Sequence, residues 1–201
     1  MSRRPAKRRL GIFGGTFDPV HAGHLIMAQE AVERLGLEQI LFLPTGRPAH
    51  KRERRITPVE HRLAMLRLAI RGNARFAVSG LETERPGITF TVHTLERLAA
   101  SDRSELYFLM GQDSLEDFRT WREPDRILAL ARLVVAPRGE GERPSLDPAT
   151  RRRVVFLKPP RIGIEASEIR RRIRRGRSVR YWVPDSVLAY IGRHGLYGSR
   201  G

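Results

Sequence analysis

Residues 9–24 read RLGIFGGTFDPVHAGH, and this stretch decides the fold of the 201-residue chain. Its first five residues are mostly apolar, which predicts a buried strand over 9–13. Gly14 and Gly15 then predict a turn, and the apolar residues that recur at helical spacing from Leu25 onward predict a helix that ends at Gly36. A strand, a glycine turn and a helix start bring backbone N–H groups and the positive end of a helix together. That arrangement is typical of anion binding.

The rest of the chain alternates short apolar runs with segments of helical period. This pattern predicts an α/β fold, a single-domain, doubly wound (Rossmann-like) parallel sheet flanked by helices, with a small helical C-terminal part. Further strands are predicted at 39–43, 76–78, 105–110, 132–135 and 154–157, and further helices at 57–70, 90–100 and 124–130, from Ser167, and from Pro184 to about His194. Ligands of such sheets bind beyond the carboxyl ends of the strands. We therefore expect the site in the loops after Phe13, Leu43, Met110 and Val135.

Length and composition bound the organisation of the chain. It is long enough for one core and short for two, so residues 1–201 are predicted to form one domain, with a disordered basic tail at 1–8 and a surface loop at 138–153. The sequence has no cysteine, no signal-peptide pattern and no run of about 18 apolar residues. We expect a cytoplasmic protein that does not associate with membranes.

The net charge of +16 favours phosphate-rich partners. The arginines at 151–153 and between 170 and 177 could serve nucleic acid, but solvated helix faces explain them more simply. Aromatic residues make up 7% of the chain and are not interleaved with these arginines, so a platform for single strands is disfavoured.

Two histidines stand at the start of the first predicted helix. His21 and His24 are three residues apart, so they project from the same side of the helix towards the anion site. The glycine spacing matches neither a Walker loop nor the dinucleotide fingerprint. A metal site made of His21, His24 and Asp18 is the minority alternative, and two histidines that only cap the helix are the other. We predict no protein-built metal site.

Residues 14–24 resemble the signature of the nucleotidyltransferase superfamily, in the form G-G-T-F-D-P-x-H-x-G-H. Similarity to bacterial nicotinate mononucleotide adenylyltransferases continues in matching order at residues 48–51, 89–95, 107–115, Trp121 and 181–197. Two positions depart from that family. Ala49 replaces a proline, and Glu165 replaces a serine of the I-S-S-T-x-I-R element, of which Ser167 and Arg170 keep the hydroxyl and the cation.

The resemblance implies adenylyl transfer from ATP to nicotinate mononucleotide in NAD biosynthesis, with Mg²⁺ carried on ATP. It implies His21, His24 and Arg170 as catalytic residues. The ATP site would contain Gly14, Thr16, Phe17, His21, His24, Gly111, Asp113, Ser167 and Arg170. The mononucleotide site would contain Gly15, Thr16, Phe17, His50, Lys51, Thr89, Thr91 and Trp121.

Several alternatives stay open at this point. Asp113 is implied to bind a ribose, although by position it could equally cap a helix that starts at Ser114. The rival functions are a related transferase that acts on phosphopantetheine and a basic nucleic-acid-binding protein without turnover. The choice between the acid and the amide mononucleotide, and homo-oligomerisation, are not decided by the sequence.

Overall fold

The fold is built on one parallel sheet. The computed structural model describes residues 7–46, 56–83, 89–101, 104–136, 145–160 and 162–198. Within them, six strands lie in the order β3-β2-β1-β4-β5-β6. The strands are β1 Arg9–Gly15, β2 Gln39–Pro44, β3 Phe76–Val78, β4 Glu105–Gly111, β5 Ala131–Ala136 and β6 Val154–Phe156. The strand order reverses between β1 and β4, and a crevice for ligands opens at such a reversal.

Helices cover both faces of this sheet, which confirms the predicted doubly wound α/β class. The helices are α1 Ala22–Leu35, α2 Val59–Ala69, α3 Thr91–Ser101, α4 Gln112–Glu116, α5 Pro124–Leu130, α6 Pro148–Arg153, α7 Ala166–Arg174 and α8 Asp185–Arg193. Side chains alternate across a strand, so Phe13 packs in the core with α1, α2, α7 and α8, and Ile12 packs in a second core with α3 and α5. None of the helices in the described ranges is long and apolar enough to cross a membrane.

The predicted bounds of most helices and strands agree with the observed bounds to within one or two residues. The bounds predicted for β3 and α5 are those observed. Gly36 ends α1 as predicted, with a left-handed φ of 61° that glycine adopts without steric cost. α7 begins at Ala166, one residue before the predicted Ser167, because Glu165 occupies the N-cap position.

The predicted surface loop at 138–153 is wrong in its second half, where α6 forms. The Asp147 carboxylate accepts hydrogen bonds from the backbone N–H groups of Ala149 and Thr150 at 3.0 and 3.1 Å. Pro148 supplies the first helical residue, where its missing N–H costs nothing. The earlier part of that prediction, residues 138–144, lies outside the described residues.

The predicted disordered tail is wrong at its last residue. The carbonyl of Arg8 accepts a hydrogen bond from the N–H of Glu105 at 2.8 Å, and its guanidinium lies 3.2 Å from the Glu38 carboxylate. Pairing with β4 therefore begins one residue before β1. Residues 1–6 lie outside the described residues.

Candidate active site

The turn after β1 is built differently from the prediction. β1 continues through both glycines, which pair with Leu43 and Pro44 of β2, and the positive φ falls on Phe17, at 49°. The predicted glycine turn is therefore wrong, because pairing with β2 holds both glycines in extended conformation. Gly15 is needed for close packing instead, since a Cβ there would lie 3.0–3.2 Å from the Phe17 ring.

His21 and His24 lie together as predicted, directly beyond β1. His21 is the N-cap of α1 and His24 its third residue. Their rings stack with centroids 3.7 Å apart and planes inclined by 28°. The backbone N–H of His21 donates to Nδ1 of His24 at 3.3 Å. The two imidazoles thus form one unit at the helix start, where the helix dipole favours negative charge.

His24 is held as a neutral donor. The rings of Phe13 and Phe17 meet its ring edge-on at centroid distances of 5.8 and 5.0 Å. Burial lowers its pKa well below the usual 6.5, and the neighbouring His21 lowers that pKa further. The ring is therefore neutral at pH 7. Because Nδ1 accepts a hydrogen bond, the proton of the neutral ring resides on Nε2, which can donate to a ligand.

A buried carboxylate fixes the middle of the same turn. Asp18 is only 4% exposed, and its Oδ1 accepts a hydrogen bond from the Tyr197 hydroxyl at 2.7 Å. Its Oδ2 accepts the backbone N–H of Thr57 at 3.3 Å. Burial and the Asp18 charge raise the pKa of Tyr197, so the phenol remains protonated and can donate. Sequence reasoning missed this contact, which joins residues 179 positions apart.

α7 brings Arg170 against this turn. Its Nη1 donates to the Asp18 carbonyl at 2.5 Å and lies 3.9 Å from the Asp18 carboxylate. Its side chain is 22% exposed and so remains partly accessible. Ser167, one turn earlier, is exposed and donates to the Glu165 carboxylate at 3.0 Å. Arg170, the predicted cation, therefore lies against residues 16–21 between β1 and α1, which we call the histidine turn. Glu165 accepts the hydrogen bond of the neighbouring Ser167 hydroxyl.

The carboxyl end of β4 lies on the other side of the crevice. Gly111 is the last residue of β4 and also the N-cap of α4, and a Cβ there would meet no atom within 4 Å. Asp113 is the second residue of α4 and is exposed. Its predicted alternative role as the N-cap is wrong, because α4 begins two residues before Ser114.

The residues predicted for the pyridine ring lie near the start of α3 and beyond α4. Thr89 donates its hydroxyl to the carbonyl of Glu82 at 3.3 Å, and Thr91 is the first residue of α3. Trp121 is half-buried, with its ring edge-on to Phe108 at 6.1 Å, so one side packs in the core. Two further predicted residues, His50 and Lys51, lie outside the described residues.

Two buried polar residues border this region without having been predicted. Glu82 accepts the Thr94 hydroxyl at 2.8 Å, and burial raises the pKa of its carboxyl. Arg62 is 2% exposed and donates to four backbone carbonyls, in the segments after β1, after β2 and before α2. The available signal was spacing: Arg62 falls on the same helical face as the buried Met65 and Leu66.

The donor set at the turn is suited to phosphate rather than to metal. Nε2 of His24, the accessible part of Arg170 and the N-terminus of α1 all present positive or donor groups. Within the described ranges, no group of three histidine, aspartate or glutamate side chains is arranged to hold a metal ion.

The comparisons with known proteins agree with this geometry. A family model described as cytidylyltransferase-like matches residues 12–172, so the chain is of the cytidylyltransferase-like class. A relative from Thermomicrobium roseum is 54% identical and covers 94% of this chain and 91% of its own length. A relative from Thermus thermophilus is 45% identical, with coverage of 94% and 99%. Both are described as probable nicotinate-nucleotide adenylyltransferases. The chain belongs to the nicotinate-nucleotide adenylyltransferase family.

Solved structures support the fold. Plasmodium falciparum nicotinic acid mononucleotide adenylyltransferase, solved in complex with NaAD, matches with a TM-score of 0.77 over 94% of this chain and 97% of that one. A second structure of that enzyme, complexed with APC, matches with a TM-score of 0.76. Sequence identity is 18% in both cases, so these likenesses concern the fold alone.

Proposed function

We propose that this chain transfers the adenylyl group of ATP to nicotinate mononucleotide, which gives nicotinate adenine dinucleotide and pyrophosphate, a step of NAD biosynthesis. The observation that carries the proposal is the neutral His24 donor in the first turn of α1, the helix that follows β1 beside the reversal in strand order. Membership of the nicotinate-nucleotide adenylyltransferase family supports the choice of acceptor.

The reaction is an in-line displacement at phosphorus. An oxygen of the mononucleotide 5′-phosphate forms a bond to the α-phosphorus of ATP, and the bond from that phosphorus to the bridging oxygen of the β-phosphate breaks. The attacking phosphate is already an anion at pH 7, so no general base is required. The residues must align the two phosphates and stabilise the charge that spreads over the transferring group.

We assign the charge stabilisation to His24, His21 and Arg170. Nε2 of His24 donates to the α-phosphoryl group, and His21 contacts the phosphates beside it. Arg170, which Asp18 holds at the turn, balances charge on the phosphate oxygens. Nucleotide contacts on this side come from residues at the ends of β1 and β4 and the start of α7, namely Gly14, Thr16, Phe17, Gly111, Asp113 and Ser167.

The mononucleotide occupies the side of the crevice towards β2. Backbone N–H groups around Thr16 and Phe17, next to Gly15, bind its 5′-phosphate, with His50 and Lys51 as further phosphate ligands. Thr89 and Thr91 bind the pyridine carboxylate, Thr89 through its backbone, since its hydroxyl donates to the Glu82 carbonyl, and Thr91 through its backbone or hydroxyl at the start of α3, where the helix dipole favours an anion. The accessible side of Trp121 stacks on the pyridine ring.

Mg²⁺ enters this proposal with ATP. The described residues build no carboxylate cage, and the one carboxylate in the histidine turn, Asp18, is occupied by Tyr197 and Thr57. This donor set fits a metal that the triphosphate carries. When bound, Mg²⁺ would neutralise triphosphate charge and assist departure of pyrophosphate.

The direct test compares three acceptor substrates in the same assay. The protein is incubated with Mg-ATP and, separately, nicotinate mononucleotide, nicotinamide mononucleotide and phosphopantetheine, and dinucleotide and pyrophosphate are quantified. We expect stoichiometric dinucleotide and pyrophosphate with nicotinate mononucleotide, and a lower kcat/KM with the amide. Turnover with phosphopantetheine instead, or with none of the three, would refute the proposal.

Asp113 provides a test of the ATP side. We expect Asp113→Ala to raise the KM for ATP by about tenfold to a hundredfold with little change in kcat, because a carboxylate that accepts ribose hydroxyls contributes roughly 1.5–3 kcal/mol. Steady-state kinetics with each substrate varied in turn measures the effect. Glu116→Ala, an exposed change on the same helix, is the control. Unchanged KM values for both substrates would remove Asp113 from the site.

A further inference from the structure

Arg62 is the one large charged side chain among the most deeply buried side chains of the described residues. Its Nε donates to the Thr57 carbonyl at 2.9 Å. Its Nη1 donates to the carbonyls of Thr16 and Thr45 at 2.8 and 2.9 Å, and its Nη2 to that of Gly46 at 3.3 Å. A single guanidinium thus joins the segment after β1, the segment after β2 and the segment that precedes α2.

This use of arginine is unusual. Buried arginines normally pair with carboxylates, but within the described part of the chain Arg62 forms no ion pair closer than 4.0 Å and donates to neutral carbonyls instead. Burial lowers its pKa, and the Asp18 charge partly offsets that effect. An arginine remains charged at neutral pH even so, because its pKa starts very high. A fixed positive charge therefore lies beneath the turn after β1.

The hydrogen bond to Thr16 has a directional consequence. In a trans peptide the carbonyl of one residue and the N–H of the next point in opposite directions. Because Arg62 binds the Thr16 carbonyl, the N–H of Phe17 points away from Arg62. The same relation at Thr45 orients the N–H of Gly46. Arg62 thus sets the direction of backbone donors on two adjacent turns.

We propose that Arg62 is a positioning residue for the mononucleotide half of the active site. It fixes the backbone donors that receive the 5′-phosphate and adds a buried positive charge behind them. This inference rests on the proposed function. Of the four carbonyls, only that of Thr16 belongs to a residue that is also assigned to ATP, and those of Thr45, Gly46 and Thr57 lie at the end of β2 and before α2. Loss of Arg62 should therefore affect the two substrates unequally.

The test compares Arg62→Met with Arg67→Met, an exposed change on the same helix. For Arg62→Met we expect the KM for nicotinate mononucleotide to rise by about tenfold to a hundredfold, since small displacements of binding groups have effects of this size. The KM for ATP should change by less than about threefold. Equilibrium binding of the mononucleotide alone, followed by calorimetry, should weaken in parallel. Arg67→Met should behave as the wild type.

Two further variants separate positioning from folding. Arg62→Lys keeps the charge but cannot serve the carbonyls with the same planar geometry, so an intermediate rise in KM is expected, and this variant replaces Arg62→Met if the latter does not fold. In Arg62→Ala, added guanidinium at millimolar concentration should restore part of the mononucleotide affinity, whereas equal sodium chloride should not. Rescue of this kind is not expected from a residue that only stabilises the fold.

The outcomes distinguish this inference from the function on which it rests. A wild-type protein that forms no dinucleotide overturns the proposed function itself. A wild-type protein that forms dinucleotide, together with an Arg62 variant whose two KM values are unchanged or rise equally, overturns the positioning role. A lowered melting temperature with unchanged mononucleotide binding also overturns it, because Arg62 would then act on stability alone.

Discussion

Replacing His24 by alanine is expected to lower kcat by about 10²–10³-fold, which is the usual effect of removing one preorganised donor to a transition state. The ring is fixed by Phe13, Phe17, His21 and the His21 backbone N–H, so its Nε2 proton points in one direction before substrate binds. The truncated side chain leaves no donor at this point. The KM values should change little, because the contact strengthens mainly as charge develops on the α-phosphoryl group.

Two comparisons make the His24 experiment specific. His24→Gln can place an amide N–H near the position of Nε2, so it should retain more activity than His24→Ala. His194→Ala, at the exposed end of α8, should retain wild-type turnover. Near wild-type kcat in His24→Ala at saturating substrates would remove the imidazole from the mechanism.

The protonation state of His24 gives a second readout of the same prediction. Its lowered pKa means that the neutral ring is the acting form at pH 7. The donor proton on Nε2 belongs to the neutral ring, so kcat should stay level as pH rises from 7 to 8. A kcat that falls through this interval, as loss of an imidazolium would produce, would contradict the assigned role. The lowered pKa of His24 also makes the free energy of unfolding depend on pH. The contribution of the neutral ring is fully present above pH 6.5 and is lost as the pH falls toward the lowered pKa.

The sequence was informative where the decisive contacts are local. The apolar run of β1, the helical period of α1 and the spacing of His21 and His24 are short-range patterns, and the structure has the strand, the helix and the stacked rings in those places. Gly36 could be placed for the same reason, since a left-handed C-cap is a property of its own backbone.

Where the deciding partner is distant in sequence, pattern reasoning failed. Gly14 and Gly15 look like a turn by themselves, but pairing with β2 extends them, and the positive φ moves to Phe17. Arg62 has the spacing of the apolar face of α2, but its charge argues against burial until its four carbonyl partners, 5 to 46 positions away, are known. α6 is the exception, since Asp147 and Pro148 carry a local signal that the glycine- and charge-rich surroundings obscured.

Replacing Asp18 by alanine is expected to lower the free energy of unfolding by about 2–4 kcal/mol. The reason is that a buried polar group left without its partner costs about 1–3 kcal/mol, and two half-buried donors, the Tyr197 hydroxyl and the Thr57 N–H, lose their acceptor, so each cost falls in the lower part of that range. Arg170 also loses the carboxylate 3.9 Å from its Nη1. This loss is a large part of the 5–15 kcal/mol typical of a folded domain.

Two further variants show how much of the stability lost in Asp18→Ala comes from the Tyr197 contact. Tyr197→Phe removes only the hydroxyl and should cost about 0.5–1.5 kcal/mol, because the Asp18 carboxylate keeps its Thr57 contact. Asp117→Ala, an exposed aspartate near α4, should lie within about 0.5 kcal/mol of the wild type. Denaturant titration at pH 7 measures all three. If Asp18→Ala were no less stable than Asp117→Ala, the buried carboxylate would not be what joins Tyr197 to the segment between β1 and α1.

The Asp18 variant should also lose activity in a characteristic way. Its turn carries Phe17 and His21 on either side, and Arg170 donates to its backbone carbonyl. A looser turn displaces phosphate ligands on both sides of the crevice, so kcat/KM should fall for ATP and for the mononucleotide alike. Arg62 variants are expected to affect the mononucleotide selectively. Measuring kcat/KM for both substrates in the Asp18 and Arg62 variants therefore shows whether the Asp18 carboxylate supports the whole turn and the Arg62 guanidinium supports only its β2 side.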